Sequence, residues 1–211
     1  KDERYYLQQD DLYLVGSAEH TLVTMHADEI IDEAKLPLRY LGFSTSFRRE
    51  AGSYGKDVKG MIRVHQFDKL EMESFTNAAN GLKEHKFFIE IIRYILQQLE
   101  LPHQSILIST GDMSKPDAHQ VDFETWIPSQ DKYRETHTAD YMGDYQSRRL
   151  MIKTKKKDGT MELVHTNDAT AAAFSRLPIA IMENYQQEDG TIKVPKILQE
   201  LMGFDVIKKN G

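Results

Sequence analysis

The sequence predicts an α+β domain, an antiparallel β-sheet flanked by helices, and three observations carry that expectation. Several segments alternate polar and apolar side chains with the period of a half-buried strand, most clearly HQVDFETWI at 119–127. Residues 76–99 instead place Leu82, Phe88, Ile91, Ile92, Ile95 and Leu99 at helical spacing. The 211 residues, 40% hydrophobic and 28% charged, suffice for one domain with a sizeable core, read as a single domain over 1–211.

Taken in order, residues 11–24 read as a strand, LYLVGSAE, leading into a helix with Leu22, Met25, Ile30 and Ile31 on its apolar side. Ser17 and Glu19 lie two apart and so share a strand face, or else they cap a helix. Residues 36–47 form a connector and strand, and residues 47–71 a hairpin. The helix over 76–99 ends before Pro102, and SILIS at 105–109 is a short strand entering the turn Thr110-Gly111-Asp112. In the strand at 119–127, Asp122, Glu124 and Trp126 share one face. Residues 148–166 read as a second hairpin whose turn carries the Asp158-Gly159 signal, with Lys155, Lys156 and Lys157 as a solvated tip. From about Thr170 an alanine-rich helix is expected, capped by Asp168 and containing Arg176, and a short helix packs in the tail.

The hairpin at 47–71 organises the rest. Its tip, Gly52 to Gly60, holds three glycines, two lysines and an aspartate, the composition of a mobile cationic loop. Arg48 and Glu50 share a face of the first arm; Arg63, His65, Phe67, Lys69 and Glu71 share a face of the second. Charges can simply solvate such a face, but a phosphate-bearing aromatic ligand also accounts for the Phe among them. Arginine forks match phosphate oxygens and the ring stacks on a base.

Composition excludes several classes. Without cysteine there are no disulfides, thiolate catalysis or cysteine-based zinc sites, and no zinc is expected; a reducing cytoplasm fits. A net charge of −6 argues against nucleic-acid binding through global charge. No apolar run approaches the ~20 residues of a membrane span, and KDERYY is not a signal peptide. The first residue is Lys1, which leaves open that the chain is a fragment.

FRREAGSYGKDVKGMIRVHQFDKLE resembles the second signature motif of bacterial-type seryl-tRNA synthetases, FRxEAGxxGxDxxGxxRxHQFxKxE, with more than ten fixed positions agreeing. SAE at 17–19 is similar to the family's TAE, and DFETWIPSQDKYRE to DLEVWLPGQxxYRE. HTNDATAAAFSRLPIAIMENYQ is similar to the third motif, HTLNGSGLAxxRxxxAxxENYQ. At 137–141 the chain has HTADY where the family commonly has SSCSN, and Asp168-Ala169-Thr170-Ala171 stands for NGSG. The family's N-terminal helical arm and first motif are missing from these residues.

The resemblance implies a sheet of about six strands with the active site on one face. It implies a class II serine–tRNA ligase that uses ATP and Mg²⁺, binds L-serine and tRNA(Ser), and forms a homodimer. Arg48, Arg63 and Arg176 would be catalytic. Arg48, Arg49, Glu50, Val64, Phe67, Glu124, Thr125, Trp126, Ile127 and Arg176 would surround ATP, with Glu124 holding magnesium. Ser17, Ala18, Glu19, Glu71, Asp168 and Thr170 would surround serine. Two other classes stay open: an adenylate-forming enzyme with a different acceptor, and a non-catalytic RNA-binding homologue.

Overall fold

A computed structural model describes residues 3–51 and 60–208. In chain order the elements are β1 (Tyr6–Leu7), β2 (Leu12–Tyr13), α1 (Glu19–Thr24), β3 (Ile30–Asp32), β4 (Leu38–Phe47), β5 (Gln66–Thr76) and α2 (Gly81–Gln98). Next come β6 (His103–Leu107), β7 (His119–Ile127), β8 (Lys132–Gly143), α3 (Ser147–Leu150), β9 (Lys153–Lys155), β10 (Met161–Leu163) and β11 (His165–Ala173). The chain closes with α4 (Leu177–Tyr185), β12 (Ile192–Lys193), α5 (Lys196–Met202) and β13 (Val206–Ile207).

The six long strands form one sheet in the order β4-β5-β11-β8-β7-β6, antiparallel at each junction. This is the α+β architecture the pattern predicts. A small side sheet pairs β3 parallel to β9 and β9 antiparallel to β10, with the expected turn at Gly159, φ 85°. Among the described residues no helix is long and apolar enough to cross a membrane.

The faces of the main sheet divide the labour. On one, Phe88, Ile92 and Leu96 of α2 bury against Met72, Val121, Phe123, Ile127, Ala139 and Ala169; each large side chain so buried contributes roughly 1.5–3 kcal/mol. Residues directly opposite in antiparallel strands share a face, so the pairs Glu71↔Thr170, Glu73↔Asp168 and Asp168↔Asp140 all lie on the other. That polar face is covered at β4 and β5 by α1. Gly42 makes the approach possible, because a Cβ there would stand 2.9 Å from a Leu22 methyl carbon and 3.2 Å from the Ala18 Cβ.

Several elements differ from the sequence expectation. The alanine-rich stretch at 165–173 is the strand β11, so Asp168 caps no helix and Thr170 starts none. Alanine's helix preference is worth only tenths of a kcal/mol per residue, whereas this segment bonds to β5 and β8 on its two edges and its small side chains let α2 pack closely. The helix that follows begins after Arg176, with Pro178 in its first turn where the missing N–H costs nothing.

The strand expected over LYLVGSAE is only Leu12–Tyr13; Ser17 lies outside it and Glu19 is the first residue of α1. Ile30 and Ile31 belong to β3 rather than to that helix. The stripe at 76–99 begins late, because β5 runs to Thr76 and the Asn77 side chain accepts from the Asn80 N–H to set a tight turn before α2; Leu82 is 54% exposed. In the central hairpin β4 stops at Phe47 and β5 starts at Gln66, so Arg48, Glu50, Arg63 and His65 leave the ladder, with Glu50 at φ 52°. The tip expected at Gly52 to Gly60 lies, but for Gly60, outside the described residues.

Candidate active site

A small cleft of about 100 Å³ opens on the polar face where the ends of β4, β5, β8 and β11 meet the loops that follow them. Its two ends differ in chemistry.

The outer end is cationic. The Arg48 guanidinium sits 5.4 Å from the Phe67 ring centroid and its Nε donates to the Gly16 carbonyl at 3.1 Å. Arg63 pairs with Glu50 at 2.5 Å. Arg176 Nη1 donates to the Glu135 carbonyl at 2.8 Å and lies 3.4 Å from its carboxylate, while Nε donates to the Ile62 carbonyl. Two of the three arginines thus have a carboxylate partner close by, which fixes their forks in advance of any anionic ligand. Val64 lines the same wall.

Behind the inner end of the cleft, which Lys69, Thr138 and Thr170 line, lies a buried acidic cluster. Ser17, 3% exposed, donates to a Glu71 oxygen at 2.8 Å, and Lys69 is ion-paired with the same oxygen. Glu19 accepts from Gln146 at 2.7 Å, and its carboxyl is pushed up by burial and by Glu71. Thr170 lines the cleft opposite Glu71, and Ala18 lies buried beside Ser17. Behind them Asp168 and Glu73 are raised well above the ordinary carboxylate range, first by burial and then by Glu19. Asp140 is pushed up to about 8 by burial and by Asp117. The charged face of β5 is therefore buried rather than solvated at Lys69 and Glu71.

Not every expected residue lines the cleft: of the serine set only Thr170 does, while Ser17, Ala18, Glu19, Glu71 and Asp168 lie outside its lining. Arg49 is exposed outside it. The Glu124 carboxylate accepts from Gln104 at 2.7 Å, away from the cleft lining. Thr125 bonds to Thr136, Trp126 packs edge-on against Tyr133, and Ile127 is in the α2-side core. The cleft carboxylate of the neighbouring strand is Glu135, directly opposite Glu124 in the ladder. Sequence reasoning missed Lys69, Glu135, Thr138, Asp140 and Gln146. Lys69 and Glu135 lay within quoted motifs; Thr138 and Asp140 fell in the stretch that departs from the family pattern.

An antiparallel sheet that carries an arginine cleft and, on motifs two and three, a polar well defines a class. Residues 5–185 match the tRNA synthetase class II core domain (G, H, P, S and T), and the chain belongs to that family. Within it, the relatives compared are serine–tRNA ligases. That of Acidothermus cellulolyticus is 45% identical over 97% of this chain and 48% of its own length; that of Cenarchaeum symbiosum is 46% identical over 98% and 50%. Seryl-tRNA synthetase from Pyrococcus horikoshii, solved in complex with ATP, superposes with a TM-score of 0.96 at 42% identity over all of this chain and 47% of that one. The cytoplasmic serine–tRNA ligase of Naegleria fowleri, solved with AMP, gives 0.93 at 33% identity, covering all of this chain and 51% of that one. The chain spans about half the length of the curated relatives it matches.

Proposed function

We propose that the chain is the catalytic portion of a serine–tRNA ligase, which activates L-serine with ATP to seryl-adenylate and passes it to tRNA(Ser). The observation that carries this reading is the two-ended cleft, arginines and a phenyl ring at one end and the Ser17–Glu71–Thr170 cluster at the other. The serine carboxylate attacks the ATP α-phosphorus, the bond to the departing diphosphate breaks, and the mixed anhydride with AMP remains. No protein nucleophile is needed; the site must align the attack and stabilise charge that builds on the phosphorus oxygens.

In this reading Phe67 stacks on the adenine, Glu50 and the Val64 backbone meet its edge, and Arg48 holds the α-phosphate. Arg63 and Arg176 take the outer phosphates, exchanging their carboxylate partners for the ligand. Glu71 and Thr170 bind the serine hydroxyl, while Ser17, Glu19 and Asp168 surround its amino group. Oxygen donors suit a hard cation that shares ligands with ATP, so Glu135 and Thr138, which line the cleft, fit Mg²⁺ better than Glu124. The ion would neutralise phosphate charge. Homodimerisation and a cytoplasmic location complete the proposal on family resemblance.

Serine-dependent exchange of diphosphate into ATP tests it. Exchange that requires serine, is weak with alanine and precedes tRNA charging is expected. Exchange absent with serine but present with another amino acid would overturn it.

A further inference from the structure

The nucleotide and serine assignments leave one reacting group without a holder. The phosphates fall to Arg48, Arg63 and Arg176, the serine hydroxyl to Glu71 and Thr170, and the amine to Ser17, Glu19 and Asp168, but the carboxylate that attacks has no cation of its own. Strand β5 carries one. Phe67, Lys69 and Glu71 share a face of this strand, and at roughly 3.4 Å per residue successive members stand about 7 Å apart. A ligand laid along that face, with its base on Phe67 and its hydroxyl at Glu71, brings the junction of phosphate and carboxylate over Lys69.

Lys69 is buried, 7% exposed, yet lines the inner end of the cleft. Its partners across the ladder are small, Ala173 on β11 and Ser44 on β4, which leaves room beside it. It is ion-paired with the Oε2 atom of Glu71, the same oxygen that accepts from Ser17, while Glu71 Oε1 is buried with no hydrogen-bond partner among the described residues. One oxygen of Glu71 thus fixes the ammonium and the other stays open to the serine hydroxyl. A lysine ammonium has three N–H donors, so one anchored on Glu71 still presents donors to a second carboxylate.

We propose that Lys69 is a further catalytic residue of the activation step: it binds the serine carboxylate and turns it toward the α-phosphorus. This rests on the serine-activation reading and deepens it. In the step a carboxylate oxygen bonds to the α-phosphorus, the bond from that phosphorus to the diphosphate oxygen breaks, and its electron pair leaves with diphosphate. Lys69 keeps all its protons throughout. Arg48 on the phosphate side and Lys69 on the carboxylate side then bracket the two atoms that join, which is the alignment the reaction needs.

The test compares L-serine with serinol, which keeps the amine and a hydroxyl but has no carboxylate, by calorimetric titration into the chain with a non-hydrolysable ATP analogue present. The parent is expected to bind serine about 10–100-fold more tightly than serinol, the worth of a charge-assisted contact. Lys69→Gln, which keeps an N–H for Glu71, and Lys69→Met should bind the two compounds within about threefold of each other and lower the kcat of serine-dependent exchange by about 10²–10³-fold. A parent-like near-ultraviolet spectrum from Trp126 and a cooperative thermal transition report that each variant is folded. No serine preference in the parent, or a kcat within about threefold of the parent in Lys69→Gln, overturns this inference alone. A preference that survives in Lys69→Gln but collapses in Arg48→Ala places the carboxylate at Arg48 and overturns it as well. A parent that binds the analogue but neither serine nor serinol overturns the serine-activation reading and this inference with it.

Discussion

The buried Asp140 carboxyl makes a prediction about stability, because it ordinarily ionises near 3.8 but is pushed up to about 8 in the folded chain. A carboxyl raised by folding is protonated in the native state and ionised in the unfolded state throughout the interval between those values, so stability falls as pH rises through it. Between pH 7 and 9 the unfolded state carries no proton here, while the folded state passes from mostly protonated to mostly ionised. Integrated over that span, the native state holds on average half a proton, which at ~1.4 kcal/mol per proton and pH unit amounts to about 1.4 kcal/mol of lost stability. His85 and His137, both lowered by burial to about 4, are neutral in the folded chain and mostly neutral in the unfolded one above pH 7, so they add little to this slope and the same in parent and variant. Asp140→Asn should therefore lose about 1.4 kcal/mol less than the parent between pH 7 and 9, a difference of roughly 3–6 °C in midpoint for a chain of this size. Thermal and urea unfolding at pH 7, 8 and 9 measure it. Parallel pH profiles for parent and variant, or a variant that is more pH-sensitive, would refute the reasoning.

Other substitutions separate the parts of the cleft. Arg48→Ala removes an exposed, oriented charge donor, so it should leave the fold intact and lower serine-dependent exchange by about 10²–10³-fold; a change below about threefold excludes Arg48 from the reacting centre. Thr170→Val keeps the shape of a strand residue buried in the sheet and deletes one hydroxyl. It should raise the KM for serine, with a loss in kcat/KM corresponding to about 0.5–1.5 kcal/mol, and leave the KM for ATP alone. Glu135→Gln should depress exchange and weaken its response to magnesium far more than Glu124→Gln, and the reverse ranking would restore Glu124 to the site.

How much of this was legible depended on whether local pattern and tertiary context agree. The strand at 119–127 was read to its exact bounds because its buried face, Val121, Phe123 and Ile127, alternates cleanly. The six-stranded sheet followed from family resemblance. The strand β11 was misread because Ala171, Ala172 and Ala173 report helix propensity locally, while the ladder that fixes this stretch pairs it with β5 residues just over a hundred positions away. The charges on β5 pointed to a ligand because Phe67 stands among them, but their burial did not show, since nothing near Lys69 and Glu71 in sequence announces that α1 closes over them. Glu124 and Glu135 are eleven residues apart but adjacent in space, and a bulge between Phe123 and Glu124 sets which pair faces which. Asp140 lies where the motif pattern breaks, and that it faces Asp168 across the ladder shows only in the fold.

The central claim is that one cleft holds a nucleotide at its arginine end and serine at its acidic end. A crystal structure of the chain with a non-hydrolysable seryl-adenylate analogue tests this most directly. The account predicts the adenine on the Phe67 ring, the phosphate mimic within hydrogen-bond reach of Arg48, and the seryl hydroxyl against Glu71 and Thr170 with its ammonium toward Glu19 and Asp168. An analogue bound in the reverse orientation, or outside the polar face of the sheet, would contradict it.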